Sequence, residues 1–384
     1  MAHQDEYNVI HDIVKLLADD GFGALGEALR MILNQAMILE RQQHLGVGPY
    51  ERSDTRNGYA NGYKSKTVQT RIGSLDLDIP QVRDCTFYPS SLEKGLRSER
   101  ALKVALAEMY VQGVSTRKVA KITEQLCGFE VTSTQVSRAA KELDNVLDKW
   151  RSRQLGAYPY VYLDARYEKV RHNGSVVDVA VLVAIGVSDT GHRHILGTSI
   201  ALSEQEVHWR DFLRSLQQRN LHGVKLFTSD AHEGLKAARK AVFPSIPWQR
   251  CQFHLQQNAQ AYVPKQQMKK EVAADIRSIF NAPTAAEAQR LLGQLLERYE
   301  KSAPRLTAWA ETNIPEGLSV FEFPSEHWRR IRTSNVLERV NKEIRRRTRV
   351  ATIFPNEASC LRLVSAVLME ISEDWETGRI YLKV

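Results

Sequence analysis

Apolar residues recur at helical spacing over residues 9–17 and 25–45, on either side of the glycine-bearing stretch DDGFGALG, and predict two N-terminal helices. These helices would serve as a dimerisation arm or as a plain cap. The pattern changes from residue 50 to 84, where Gly58, Gly62 and Gly73 punctuate short alternating runs at 65–71 and 74–80, so a small β ribbon is expected. Helical spacing returns at 101–112, 115–126 and 133–150. Gly113 and Gly128 mark the turns, and Ser115 with Thr132 or Ser133 supplies N-caps.

The second half opens on a different rhythm. Strands are predicted over 158–170, 176–187 and 194–201, joined at His172-Asn173-Gly174 and Asp189-Thr190-Gly191, residues that tolerate the positive φ of tight turns. Ser203 and Glu206 have capping-box spacing, and a helix should follow to about Asn220. A strand over 225–229 ending at Asp230, a helix over 232–242 and a short strand near 248–252 complete the series. Three antiparallel strands, then helix, strand, helix and strand, is the order of a ribonuclease H-like α/β fold with a mixed sheet. Residues 256–324 read as helical, with stripes such as Val272, Ile276, Ile279 and Phe280, and form an all-helical insertion before the core resumes.

The candidate chemistry sits on this frame. Asp164 lies inside a strand that should be half buried, where a carboxylate needs a partner or a task. In the expected fold the first and fourth strands are neighbours, which brings Asp230 beside it. A third acid, Glu338, lies in RTSNVLERVNKEIRRRTRV. On a helix Val336, Leu337, Val340 and Ile344 form its buried stripe, leaving Glu338 on a face with Lys342, Arg345 and Arg349. Carboxylate oxygens suit Mg²⁺, and two such ions can activate an attacking oxygen and stabilise a leaving one at a phosphodiester. Each acid except Asp164 has a plain alternative: Asp230 with Glu233, and Asn335 with Glu338, have the spacing of helix caps. Should Glu338 face solvent, Glu343 is the substitute.

Charge adds a partner. The 384 residues carry a net charge of +8, which favours a polyanion. The trihelical stretch resembles a helix-turn-helix, with Gln135, Arg138 and Lys141 able to face a major groove and Arg117 and Lys118 beside them. Arg52, Arg56, Lys64, Lys66 and Arg71 alternate with Tyr59 and Tyr63 in the β ribbon, as on a nucleic-acid surface or a solvated sheet face. Trp309 and Trp328 are either core residues or platforms for an unpaired base. Cys85, Cys127, Cys251 and Cys360 are scattered singly, so neither a disulfide framework nor a four-cysteine zinc site is expected. The N-terminus lacks the features of a secretory signal, and the longest apolar run is too short to span a bilayer. A reducing, cytoplasmic setting without a membrane is the expectation.

At this point the chain resembles the mutator-type bacterial insertion-sequence transposases. The resemblance rests on YPYVYLDARYEKVR, LFTSDAHEGLKAA, WQRCQFHLQQN, FPSEHWRRIRTSNVLERVNKEIRRRTRV and IFPNEASCLRLVSAVL, in family order, with weaker similarity through RNGY and VQGVSTRKVAKI. It implies a DDE transposase in which Asp164, Asp230 and Glu338 are the catalytic acids and hold Mg²⁺, with Mn²⁺ able to substitute. Cys251 and His254 match the family's C-x-x-H element and are expected to support the site rather than bind zinc. The resemblance further implies double-stranded DNA partners, both terminal inverted repeats and target DNA, a homodimer or higher multimer, and a nucleoid-associated location. Expected divisions are a helical arm (1–48), a basic β-rich module (49–98), a helix-turn-helix-like domain (99–153), the first part of the core (154–255), the helical insertion (256–325) and the C-terminal part of the core (326–384). Two other readings compete: a repeat-binding regulator without catalysis, and a structure-selective nuclease on the same fold.

Overall fold

The structure, a computed structural model, describes residues 2–48, 51, 53–95 and 97–383, with side chains given from Val9 onward. Tyr50 and Arg52, which open the basic and aromatic run, lie outside the described residues. The chain forms two compact units, Met1–Glu142 and Leu143–Val384.

In the first unit, α1 (Ala2–Asp20) and α2 (Leu25–Leu45) precede a ribbon of β1 (Tyr59–Thr70) and β2 (Gly73–Arg83). Alternation in β2 turns Leu75, Leu77 and Ile79 inward with Val68 and Met37, while Asp76 and Asp78 stay exposed. Three helices follow, α3 (Arg100–Val111), α4 (Thr116–Cys127) and α5 (Ser133–Lys141), around Leu102, Leu106, Val119, Val131 and Val136. Ser115 caps α4, and Thr132 with Gln135 forms a capping box on α5. The single helix expected over 133–150 is instead two. It stops at Lys141, and α6 (Asp144–Ser152) belongs to the second unit.

The second unit is a mixed α/β body. Strands β3 (Tyr160–His172), β4 (Ser175–Val187) and β5 (Arg193–Ala201) form an antiparallel meander. The first hairpin turns on Asn173 and Gly174, with φ of 47° and 81°. Next come α7 (Glu206–Gln218), β6 (Leu226–Ser229), α8 (Glu233–Val242) and β7 (Trp248–Arg250). The five strands are ordered β5-β4-β3-β6-β7, with β6 parallel to β3 and β7 parallel to β6. Val161, Leu163, Leu182 and Phe227 pack one face of the sheet against Trp209, Phe212, Leu213 and Leu235 of α7 and α8.

A helical segment follows: α9 (Gln252–Ala259), α10 (Lys269–Phe280), α11 (Ala285–Tyr299) and α12 (Pro304–Asn313). Its own core holds Leu255, Val272, Ile276, Ile279, Leu295 and Leu306. The chain then returns through α13 (Ser325–Ile331), α14 (Asn335–Thr348) and α15 (Glu357–Glu376) to the other side of the sheet. Among the described residues no helix is long and apolar enough to cross a membrane.

Candidate active site

Strand alternation decides what each residue of β3 meets. Val161 and Leu163 enter the apolar core, while Tyr160, Tyr162, Asp164, Arg166 and Glu168 face the returning helices. That second row is polar and is met by polar groups. The Tyr160 hydroxyl is 2.7 Å from His327 Nδ1, and the Tyr162 hydroxyl donates to Arg330 O at 3.1 Å. Asn341 Nδ2 donates to Asp164 Oδ2 at 2.8 Å, Arg166 to Asn341 O at 2.7 Å, and Thr348 Oγ1 to Glu168 Oε1 at 3.1 Å. The ladder lays α14 along β3.

Asp164 and Asp230 become neighbours through register. Leu163 of β3 pairs with Ser229 of β6, the last pair of the parallel register, and Asp164 and Asp230 are the residues that directly follow that pair on their two chains. Asp230 does not cap α8. That helix begins at Glu233 with His232 as N-cap and no side-chain capping bond, while Asp230 Oδ1 accepts from the adjacent Ala231 N–H, at 2.7 Å. Glu338 likewise makes no capping box with Asn335, since Ser334 is the N-cap of α14 and no side-chain cap forms. The Ser203–Glu206 box is also absent: α7 starts at Glu206 with Gln205 as N-cap.

His254, in the first turn of α9, stands between two of the acids. Its Nδ1 is 3.9 Å from Asp230 Oδ2 and its Nε2 is 3.9 Å from Glu338 Oε1. The neighbouring Cys251 sulfur is the largest influence on this imidazole and, with Asp230 and Asp164, raises it to about 9 against the opposing effect of burial. Cys251 is fully buried and its sulfur accepts from Ser334 N–H. Burial would raise the thiol, but hydrogen bonding with His254 and Ser334 outweighs that and leaves it lowered. Burial pushes Asp164 up to about 6, opposed by bonds from Ala165 N–H and Asn341 and by the charge of His254, and reinforced by Glu204.

The donor set is suited to a hard divalent cation. Three carboxylates could supply oxygen ligands, and Glu338 Oε1 is buried without a hydrogen-bond partner among the described residues, leaving lone pairs available. As placed, the acids surround His254 rather than one common point, and no three acidic, histidine or cysteine side chains among the described residues form a metal-binding group. Glu343 is no substitute acid: Arg346 and Arg347 engage it and hold it down to about 2.

Two residues of this region were missed as site members in the sequence. Asn341 shares the inward face of α14 with Glu338 by its i+3 spacing, which could have marked it. Glu204 follows β5 in a loop held against α8, where a Cβ on Gly234 would lie 2.2 Å from Glu204 O; nothing in local spacing points to it.

The expected DNA-contacting residues separate into two kinds. Lys342 and Arg345 are exposed on α14 and Arg349 at its C-cap, and Arg117, Lys118, Arg138 and Lys141 are exposed on α4 and α5. Gln135 is occupied instead. Its Oε1 accepts from Thr132 N–H, and its Nε2 donates to Gln69 at 3.3 Å, so in this structure it does not present a free amide. Trp309 is buried and stacked on Tyr262, and Trp328 Nε1 donates to Phe323 O, which places both indoles in packing roles.

A family model described as "Transposase, Mutator family" matches residues 3–378. The transposase for insertion sequence element IS406 of Burkholderia multivorans is 56% identical over 384 residues, covering 100% of this chain and 99% of that one. The ISRM5 transposase of Rhizobium meliloti is 41% identical, over 94% of this chain and 90% of its own. The IS256 transposase of transposon Tn4001 from Staphylococcus aureus is 35% identical, over 96% and 93%. Among solved structures, the Mos1 strand transfer complex aligns over 58% of this chain and 82% of that chain at 13% identity, with a TM-score of 0.18.

Proposed function

Since the chain belongs to the Mutator family of transposases, we propose that it is a metal-dependent enzyme that cleaves DNA at insertion-sequence ends and transfers the freed strand, with Asp164, Asp230 and Glu338 as its acids. The strand order and the helical segment before α13 support a ribonuclease H-like core with a helical insertion. One observation carries the assignment. Asp230 and Glu338 are each released from the helix-capping work their spacing suggests, and both lie within 3.9 Å of the same imidazole, beside the strand position of Asp164.

In this reading Asp164 and Asp230 hold Mg²⁺ or Mn²⁺, with Glu338 as a third ligand. Bound there, the ions would activate the attacking oxygen and stabilise the leaving one. The chain's own residues prepare that position. Asn341 fixes the Asp164 carboxylate, Cys251 and Ser334 hold the backbone around His254, and His254 balances the negative charge of Asp230 and Glu338. Lys342, Arg345 and Arg349 extend a basic face from the same helix toward the backbone of a bound duplex.

The test is cleavage of a duplex carrying a terminal inverted repeat, in Mg²⁺ or Mn²⁺, by Asp164→Ala, Asp230→Ala and Glu338→Ala. Each should bind the duplex and fail to nick it. A variant that still cleaves removes its residue from the site. Binding by the unmodified chain with no nicking in either metal would make it a repeat-binding regulator.

A further inference from the structure

Beside the acids lies a cluster that the proposed chemistry does not use. Arg193 at the start of β5 and Arg330 in α13 both lie over the ring of Tyr381, in the segment after α15, and Arg339 in α14 is close enough for its charge to be felt there. The Arg193 and Arg330 guanidinium carbons each lie 4.8 Å from that ring centroid, and Arg193 also covers Trp375 at 4.2 Å. Arg339 is near enough that its charge adds to the lowering of Arg193 and opposes the burial that raises Tyr381. Burial is the larger cause of the lowered Arg193. Among the described residues none of the three arginines has a carboxylate at ion-pair distance or donates a side-chain hydrogen bond.

The position is built rather than incidental. Tyr381 N–H and Leu382 N–H donate to Gly191 O at 2.9 and 3.2 Å, and His327 Nε2 lies 2.6 Å from Lys383 O, so the segment is clamped at both ends of the ring. Gly191, at φ +85°, has no room for a side chain, because a Cβ would sit 1.8 Å from Leu382 O. Tyr162 fixes the floor: fully buried, it donates its hydroxyl to Arg330 O at 3.1 Å. Arg330 and Arg339 are exposed, so their guanidinium groups are open to an incoming anion. Their planar donors match the oxygens of a phosphate.

We propose that Arg193, Arg330 and Arg339 form a phosphate-binding site for the backbone of the DNA whose cleavage is proposed above. The site rests on that reading, since its location supplies the identity of the anion. Tyr162 and Asp164 lie on the same face of β3, two residues and about 7 Å apart, and Arg339 directly follows Glu338. A duplex phosphate gripped here puts a nearby phosphodiester of the same molecule at the acids. Because a phosphate contact carries no sequence information, the site sets register rather than choosing the repeat.

The experiment measures equilibrium binding of the full chain to a repeat-end duplex and to an unrelated duplex, without divalent metal, over a range of salt concentrations. Arg330→Gln and Arg339→Gln should each make the slope of log affinity against log salt shallower by about 0.9, and the double variant by about 1.8, equally on both duplexes. Arg330→Lys, which keeps the charge, should hold the wild-type slope, while thermal unfolding reports whether each variant is folded. Wild-type slopes and affinities in folded Arg330→Gln and Arg339→Gln overturn the site. So does a loss confined to the repeat duplex. Asp164→Ala serves as the separating control: a normal slope with lost cleavage supports the acids independently, whereas a wild-type chain that binds no duplex overturns both proposals.

Discussion

Replacing Asp164 by Asn should make the metal-free protein more stable at neutral pH while abolishing cleavage. Burial raises this carboxyl to about 6 from an ordinary 3.8, so the folded state binds the proton more tightly than the unfolded chain. The stability tied to that proton is full below pH 3.8 and is lost as pH rises through 6. The difference between the two values corresponds to about 3 kcal/mol of destabilisation at pH 7.5. Asn is close to the same size, and Asn341 and Ala165 N–H can still meet its oxygen, so the variant should recover about 2–3 kcal/mol of this. For a body of this size that is a rise of roughly 4–12 °C in unfolding temperature. The assay is thermal or urea unfolding of both proteins at pH 4, 5, 6 and 7.5 without divalent metal. The gap should be small at pH 4, widen to about pH 6, and then level off. Adding Mg²⁺ at ten times its dissociation constant should raise the wild type by about 1.4 kcal/mol and the variant by much less. A gap that is constant across pH, or a variant less stable at pH 7.5, would refute the claim that Asp164 is an acid held ionised against burial.

Three further outcomes follow from particular contacts. Asp144→Ala removes the bidentate partner of the buried Arg362, at 2.6 and 2.8 Å, and should cost about 3 kcal/mol in urea unfolding, whereas Arg362→Met should cost clearly less because no unpaired buried charge remains. Glu343→Gln removes the carboxylate that Arg346 and Arg347 share; because the folded carboxyl sits near 2, below its ordinary 4.5, the wild-type advantage should be about 1–2 kcal/mol after solvent screening at pH 7. That advantage should disappear as pH falls from about 4.5 through 2 in an unfolding series, and a gap that persists at pH 2 would count against the assignment. Gly191→Ala should unseat residues 381–383, seen as faster proteolysis of the C-terminus at an unchanged cleavage rate elsewhere in the chain.

The parts of this structure that were legible in the sequence are those decided by local rules. Alternation and the Asn173-Gly174 turn located the β3–β4 hairpin, and the apolar stripe of α14 left Glu338 on a different face from Val340 and Ile344. The helix break after Lys141 had no such signal, because Lys141 to Asp144 contains neither glycine nor proline. Long-range contacts made there include the ion pair that ties Asp144 of α6 to Arg362 of α15. Gln135 was read as an open amide because Gln69, its partner, lies far away in sequence and on a different element. The arginine cluster was invisible for the same reason, being assembled from β5, α13, α14 and the segment beyond α15. Asp230 shows how closely the two kinds of information meet. Its spacing to Glu233 allows a capping acid, and a helix beginning at Ala231 would have made it one. Because α8 instead begins at Glu233, with His232 as its N-cap, Asp230 stays at the end of β6 with one oxygen toward His254, and a two-residue shift in a helix start separates a structural carboxylate from one available for chemistry.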